Sequence, residues 1–203
     1  TVTLIGNQEA AAPFMNLLNG YENQYHFVHA PTTISMHEHP TKALKEKQDS
    51  SIVMGFGLLA RKKIDAFMSA GNTGAMLVGA MYSVKAIDGV LRPTIASPIP
   101  SKGNKINLLL DVGANADCKP EHLVQFAEMG ALYAKHILQN ENPKVGLLNI
   151  GEEEGKGNIL AQSTYPLLKE NTAINFYGNV EGRDLFNDVV DVTVCEGFTG
   201  NII

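Results

Sequence analysis

Cysteine is scarce. Cys118 and Cys195 are the only two, and neither has a CxxC partner. A disulfide framework and a cysteine-ligated metal centre are therefore not written into the chain, and a reducing cytoplasm is the expected setting. Basic residues are also in short supply. Sixteen Lys and Arg against 21 Asp and Glu leave a net charge of −5. General nucleic-acid binding needs clustered positive charge, so no nucleic-acid partner is expected. Long apolar runs are missing too. The longest, Ser51 to Ala60, is short and glycine-rich, too short to cross a bilayer. The opening Thr-Val-Thr-Leu-Ile shows neither the basic start nor the apolar core of a secretory leader. What remains is 44% hydrophobic and 18% charged across 203 residues, the balance of a folded globular chain.

The chain alternates apolar runs with polar, glycine-rich turns. Val2–Ile5 and Tyr25–His29 read as strands, with a helix from Glu9 to Leu18 between them that ends at Asn19-Gly20. Met36-His37-Glu38-His39-Pro40 reads as a solvated loop rather than a metal site. Thr41 to Lys63 reads as a helical region broken near Asp49-Ser50. Its lysines Lys42, Lys45 and Lys47 and the terminal Arg61-Lys62-Lys63 suit helix ends or an acidic partner.

Ile64–Met68 then reads as a strand, Ser69-Ala70-Gly71-Asn72-Thr73-Gly74-Ala75 as its turn, and Met76 to Ile87 as a helix. Such a turn offers backbone N–H groups and a dipole end to an anion. The segment from Gly89 to Pro100 is spaced by Pro93, Pro98 and Pro100, which confines it to a sheet edge or an arm.

Buried strands follow at Ile106–Leu110, Val145–Ile150, Ala173–Tyr177 and Val189–Val194. Between them lie a helix opening at Pro120 and another from Ile159 to Lys169. Leu123, Ala127, Gly130, Ala131, Ala134 and Leu138 form the inner face of the first, with His122, Glu128, Lys135 and Gln139 on its outer side. This order specifies an α/β fold with a doubly wound, mostly parallel sheet, in which ligands bind beyond the carboxyl ends of the strands. Five loops, starting at Ser69, Asp111, Asn149, Gly178 and Cys195, are expected to share that edge as one functional crevice.

The same loops carry a resemblance. The runs SAGNTGA (69–75), LLLDVGANAD (108–117), KPEHLVQFAEMG (119–130), VGLLNIGEEEGKGN (145–158), INFYGNVEGRD (174–184) and CEGFTGNI (195–202) closely resemble the bacterial PlsX family of phosphate acyltransferases. The resemblance implies transfer of a fatty acyl group from acyl carrier protein to inorganic phosphate, giving acyl phosphate for phospholipid synthesis. It also implies a three-layer α/β/α fold related to phosphate acetyltransferases and isopropylmalate dehydrogenases, a homodimer, and a cytoplasmic enzyme in peripheral contact with the inner membrane surface. On this view residues 1–203 form a single α/β domain without the family's first strand, its DAMGGD-like loop and its C-terminal helices.

The chemistry needs no enzyme nucleophile. Phosphate is already ionised, and a leaving thiol with a pKa near ~8.5 departs without a strong acid. The need is for in-line positioning and for charge stabilisation at the oxyanion, so no cofactor and no metal are expected. Ser69, Gly71, Asn72, Thr73 and Gly74 are the candidate phosphate cradle. Lys156, flanked by Gly155 and Gly157, is the leading charge-stabilising residue, with Arg183 as a second cation or a salt-bridge partner of Glu181 or Asp184.

Asn115, Asn158, Asn179 and Asn201 are candidate amide donors, and Thr199 joins the substrate set. Asp111 and Asp117 either orient Lys156 or a substrate group, or cap the following helix. Of Glu152, Glu153 and Glu154, at least one points to solvent. Cys195 is not expected to be a nucleophile. Lys42, Lys45, Arg61, Lys62, Lys63, Lys102 and Lys105 are candidates for carrier-protein docking. Two rivals stand: a docking module that binds carrier protein without turnover, and a dehydrogenase of the same fold. The loops lack the dinucleotide fingerprint that the latter needs.

Overall fold

Every strand pair but one is parallel in the computed structural model, which describes residues 1–203. The chain divides into two compact units, Thr1–Ile87 and Asp88–Ile203.

In the first unit, β1 (Val2–Gly6) pairs with β2 (Tyr25–His29). The expected helix between them starts as α1 (Gln8–Ala11), capped by Asn7, and tightens into a 3₁₀ helix over Ala12–Leu18, with Pro13 near its start. The break near Asp49-Ser50 is present and separates α2 (Pro40–Glu46) from α3 (Ser51–Ala60). Then comes α4 (Thr73–Ser83), three residues earlier at its start than the sequence suggests. Ile34, Ala43, Ile52, Phe56 and Ala75 form the core of this unit. A Cβ on Gly79 would come within 2.6 Å of the Phe56 ring, so the bare glycine is what lets α4 approach α3.

The strand expected at Ile64–Met68 does not form. Met68 is exposed, and no strand pairs with the segment. Its apolar character is satisfied differently: Phe67 packs edge-on against Phe56, ring centroids 5.0 Å apart, over the bare backbone of Gly55.

The second unit holds a five-stranded sheet in the order β3-β4-β7-β5-β6. These strands are β3 (Ala96–Ser101), β4 (Lys105–Leu110), β5 (Lys144–Leu148), β6 (Asn175–Val180) and β7 (Val192–Val194). The proline-spaced β3 is the antiparallel edge strand, as its prolines require. The helices are α5 (Pro120–His136), α6 (Ile159–Glu170) and α7 (Gly197–Ile202).

Side chains alternate across this sheet. Leu108, Leu110, Val145, Leu147, Val192 and Val194 meet Leu123, Phe126 and Ala127 of α5 and Ala161 and Leu168 of α6. Leu109 and Leu148 face the other way, against Leu185 and Cys195. Handedness explains the two faces. The crossovers β4-α5-β5 and β5-α6-β6 run in one direction along the sheet, and the link from β6 back to β7 reverses it. Right-handed crossovers then place that link, with Leu185, on the opposite face.

Two local readings are corrected. Gly178 and Asn179 lie inside β6 rather than in a loop. The register slips so that Val145 faces Phe176 and Gly146 faces Gly178, leaving Tyr177 as a bulge beside a glycine at φ +128°. His122 is buried rather than on the outer side of α5, because its Nδ1 accepts the Lys119 N–H at the helix start. Burial there lowers its pKa.

Candidate functional site

The parallel strands β4, β5, β6 and β7 end on one edge, and the loops after them meet there. The chain leaves β5 toward α6 and β6, whereas it leaves β7 into α7, which packs toward β4. Loops that part between adjacent strands open a crevice, the usual ligand position in such sheets. A cavity of about 370 Å³ occupies this place. Leu123, Leu147, Leu148, Ile150 and Leu160 give it an apolar wall, and Asn149, Asn158, Glu196 and Thr199 give it a polar rim.

Of the residues expected from sequence, Asn158 and Thr199 line this cavity directly. Asn158 is the N-cap of α6: its Oδ1 accepts the Ala161 N–H at 2.8 Å. Thr199 is tied to Glu196, the N-cap of α7, through its N–H at 2.9 Å and through its hydroxyl. Lys156 is exposed in the loop entering α6, beside the lining residue Gly157, and forms no ion pair.

Arg183 follows the lining residue Gly182. It pairs with Glu181 at 3.2 Å and with Glu152 at 3.7 Å, so the expected Glu181 bridge forms and a second carboxylate joins it. Glu154 pairs with Lys169, and Glu152, Glu153 and Glu154 are all exposed.

Asp111, Asn115 and Asn201 gather in a neighbouring cluster. Asp111 is fully buried. Its Oδ1 accepts the Ile95 and Ala114 N–H groups at 3.1 and 3.0 Å, and its Oδ2 accepts the N–H and Nδ2 of Asn115 at 2.7 and 2.8 Å. It takes no hydrogen bond from Lys156 and does not cap α5, whose N-cap is Lys119. Asn115 also donates to the Pro93 carbonyl, and its own carbonyl accepts the Gly197 N–H. Asn201 lies over Gly113. Asp117 is exposed, and its carbonyl accepts from Arg92. Asn179 is buried in β6 and donates to the Glu153 carbonyl at 2.8 Å.

The Ser69–Gly74 turn belongs to the first unit and follows no strand, so it does not leave the edge of the second unit's sheet. Asn72 is buried and both ends of its amide are occupied. Oδ1 caps α4 through the Ala75 N–H, and Nδ2 donates to the carbonyls of Ser35 and Glu38. Ser69 Oγ accepts the Gly71 N–H. The cap leaves the Thr73 and Gly74 N–H groups unpaired at the helix start.

Burial shifts both thiols upward, Cys118 to about 11 and Cys195 to about 12. Burial thus favours the neutral thiol at both positions. No three His, Cys, Asp or Glu side chains are grouped to hold a metal ion.

Sequence reasoning did not single out Asn149 or Glu196, both on the cavity rim. A signal for Asn149 was present: it is the first polar residue after an apolar strand whose carboxyl end faces the crevice.

A family model described as fatty acid synthesis protein, that of PlsX, matches residues 1–203. The chain belongs to the PlsX family. Among its curated relatives, the phosphate acyltransferase of Dictyoglomus turgidum is 50% identical over 202 residues, covering all of this chain and 60% of that protein. The phosphate acyltransferase of Aquifex aeolicus is 48% identical over 203 residues, covering 100% of this chain and 59% of that one. The chain thus spans about 60% of the length of these PlsX relatives. Among solved structures, the EutD phosphotransacetylase of Staphylococcus aureus superposes with a TM-score of 0.61 at 16% identity, over 98% of this chain and 71% of that one. A branched-chain phosphotransacylase from Enterococcus faecalis V583 gives 0.59 at 15% identity, over 100% and 82%. These two establish that the chain shares their α/β fold.

Proposed function

We propose that the protein transfers a fatty acyl group from acyl carrier protein to inorganic phosphate, forming acyl phosphate for phospholipid synthesis. The observation that carries this reading is the cavity at the strand edge, with its apolar wall and polar rim, in a chain half identical to phosphate acyltransferases. An apolar wall suits the acyl chain. A rim of amides at the start of α6 suits an anion.

In the step itself, a phosphate oxygen attacks the thioester carbonyl carbon. The C–O bond forms, the C–S bond breaks, and the carrier thiolate leaves and takes a proton from solvent. Asn158 contributes Nδ2, which has no partner in the protein, and the exposed Lys156 ammonium neutralises charge on phosphate and oxyanion. Asp111 and Asn115 act by fixing the neighbouring loop. On the first unit, the Thr73 and Gly74 N–H groups are the candidate anion donors of the Ser69 turn. The homodimer and the peripheral contact with the inner membrane surface belong to the same reading and rest on the family resemblance.

The test is incubation of the whole protein with an acyl carrier protein thioester and labelled phosphate. Labelled acyl phosphate is expected, and Lys156→Ala is expected to lower kcat by about 100-fold. Carrier binding with no acyl phosphate would favour the docking-module rival. Full activity in Lys156→Ala would remove the lysine from the mechanism.

A further inference from the structure

The loop that carries Lys156 has almost no regular structure, yet side-chain amides hold its backbone at four points. Asn179 Nδ2 donates to the Glu153 carbonyl at 2.8 Å, and the same carbonyl accepts the Lys156 N–H at 3.1 Å. Gln162 Nε2 bridges the Gly155 and Gly157 carbonyls at 3.1 and 3.0 Å. Asn149 Nδ2 donates to the carbonyl of Lys156 itself at 3.1 Å, while its Oδ1 accepts the Ile150 N–H at 2.8 Å. The backbone N–H of Asn149 is in turn fixed to Val180 in β6.

Two glycines close the frame around the lysine. A Cβ on Gly157 would sit 2.3 Å from Asn149 Oδ1, and one on Gly151 would sit 3.0 Å from Glu153 Oε2 and 3.1 Å from Cγ of the Lys156 stem.

We propose that Asn149, Gln162 and Asn179 are positioning residues that act through Lys156, fixing the backbone from which its side chain extends, next to the cavity-lining Gly157. This rests on the functional reading above. Three amides from β6, from α6 and from the end of β5 reach one lysine-bearing loop, and all three spend their N–H groups on backbone carbonyls, including Asn149, which also lines the cavity. None of the three places a charge in the site, so their contribution is geometric. An exposed lysine on an unrestrained loop would lose stabilisation through misplacement alone.

The test is a double-mutant cycle on kcat in the whole protein, using Gln162→Ala and Lys156→Ala. Gln162 is exposed on α6, so its removal leaves the core intact. Gln162→Ala is expected to lower kcat by about tenfold in the parent and to have no further effect once Lys156 is alanine. Gly151→Ala, which crowds the Glu153 carboxylate and the lysine stem without removing an amide, is expected to behave in the same way. An equal loss in both backgrounds, or no loss in the parent, would overturn the positioning role. Parent-like activity in Lys156→Ala alone would instead sink the functional reading, so the two failures are distinct.

Discussion

At the scale of single residues, the loops of this edge are interlocked through atoms that tolerate no addition. A Cβ on Gly200 would lie 1.9 Å from the backbone oxygen of Asp111, and one on Gly197 would lie 2.9 Å from Asp111 Oδ2 and from the Asn115 backbone. These neighbours are backbone atoms, apart from the Asp111 carboxylate, which four hydrogen bonds hold in place. Gly200→Ala is therefore expected to destabilise the second unit by about 3 kcal/mol, at the upper end of overpacking costs, seen as a lower urea midpoint at unchanged m.

The buried thiol of Cys195 gives a second expectation. Burial, with Glu196 and Asp111 adding their charges, raises its pKa from 9.0 to about 12. Its proton is thus held more tightly in the folded chain than in the unfolded one. The contribution is complete below pH 9 and is lost as pH rises from about 9 toward 12. Cys195→Ala is expected to flatten the alkaline limb of the stability profile while keeping substantial acyl transfer. An unchanged alkaline limb would show that the thiol does not drive it.

At the scale of elements, α5 shows what the sequence could and could not reveal. Its inner face was legible because Leu123, Ala127, Gly130, Ala131 and Ala134 recur at the helical period, and all are buried. Phe126 fills the centre of the same core with no exposed surface. Phe126→Ala is expected to cost about 3–5 kcal/mol, measurable as loss of the second unit's urea transition toward lower denaturant.

His122 was misassigned because local capping, not periodicity, decides its place. The strand edge that opens into the cavity was legible for a similar reason to α5: apolar strands ending in Gly and Asn loops are a short-range pattern. The bulge at Tyr177, which draws Gly178 and Asn179 into β6, depends on register against β5, and register is a property of two strands. The amide grip of Gln162 on residues 155 and 157 was equally hidden, since nothing in a helix sequence announces which loop its side chains will reach. Ile64–Met68 looked like a strand because it is mostly apolar, but it joins neither sheet, and Phe67 packs on Phe56 instead.

At the scale of the whole molecule, the question is whether one cooperative fold or two answers to denaturant. The sequence reads as one domain, whereas the structure divides at Ile87–Asp88 into two compact units. Their means of support are unequal. The second has five strands, two packed helices and a continuous core from Leu108 to Val194. The first has two strands and a small cluster around Phe56, with Ile52, Ala43 and Ala75. A two-stranded sheet has little stability of its own and depends on the helices packed beside it. Burial also scales unfavourably for a unit below a hundred residues.

The join is poorly protected: Lys85 is exposed at φ +66°, Ile87 is exposed, and no helix or strand spans Val84 to Ile95. Brief trypsin treatment is therefore expected to cut at Lys85 and leave a fragment starting near Ala86 that keeps the α/β circular dichroism of the second unit. Urea titration of residues 1–203, followed by residue-resolved hydrogen exchange, should show Ile52 and Phe56 losing protection before Leu109 and Val145. One coincident transition at all four positions would mean that the two units fold as a single cooperative domain after all.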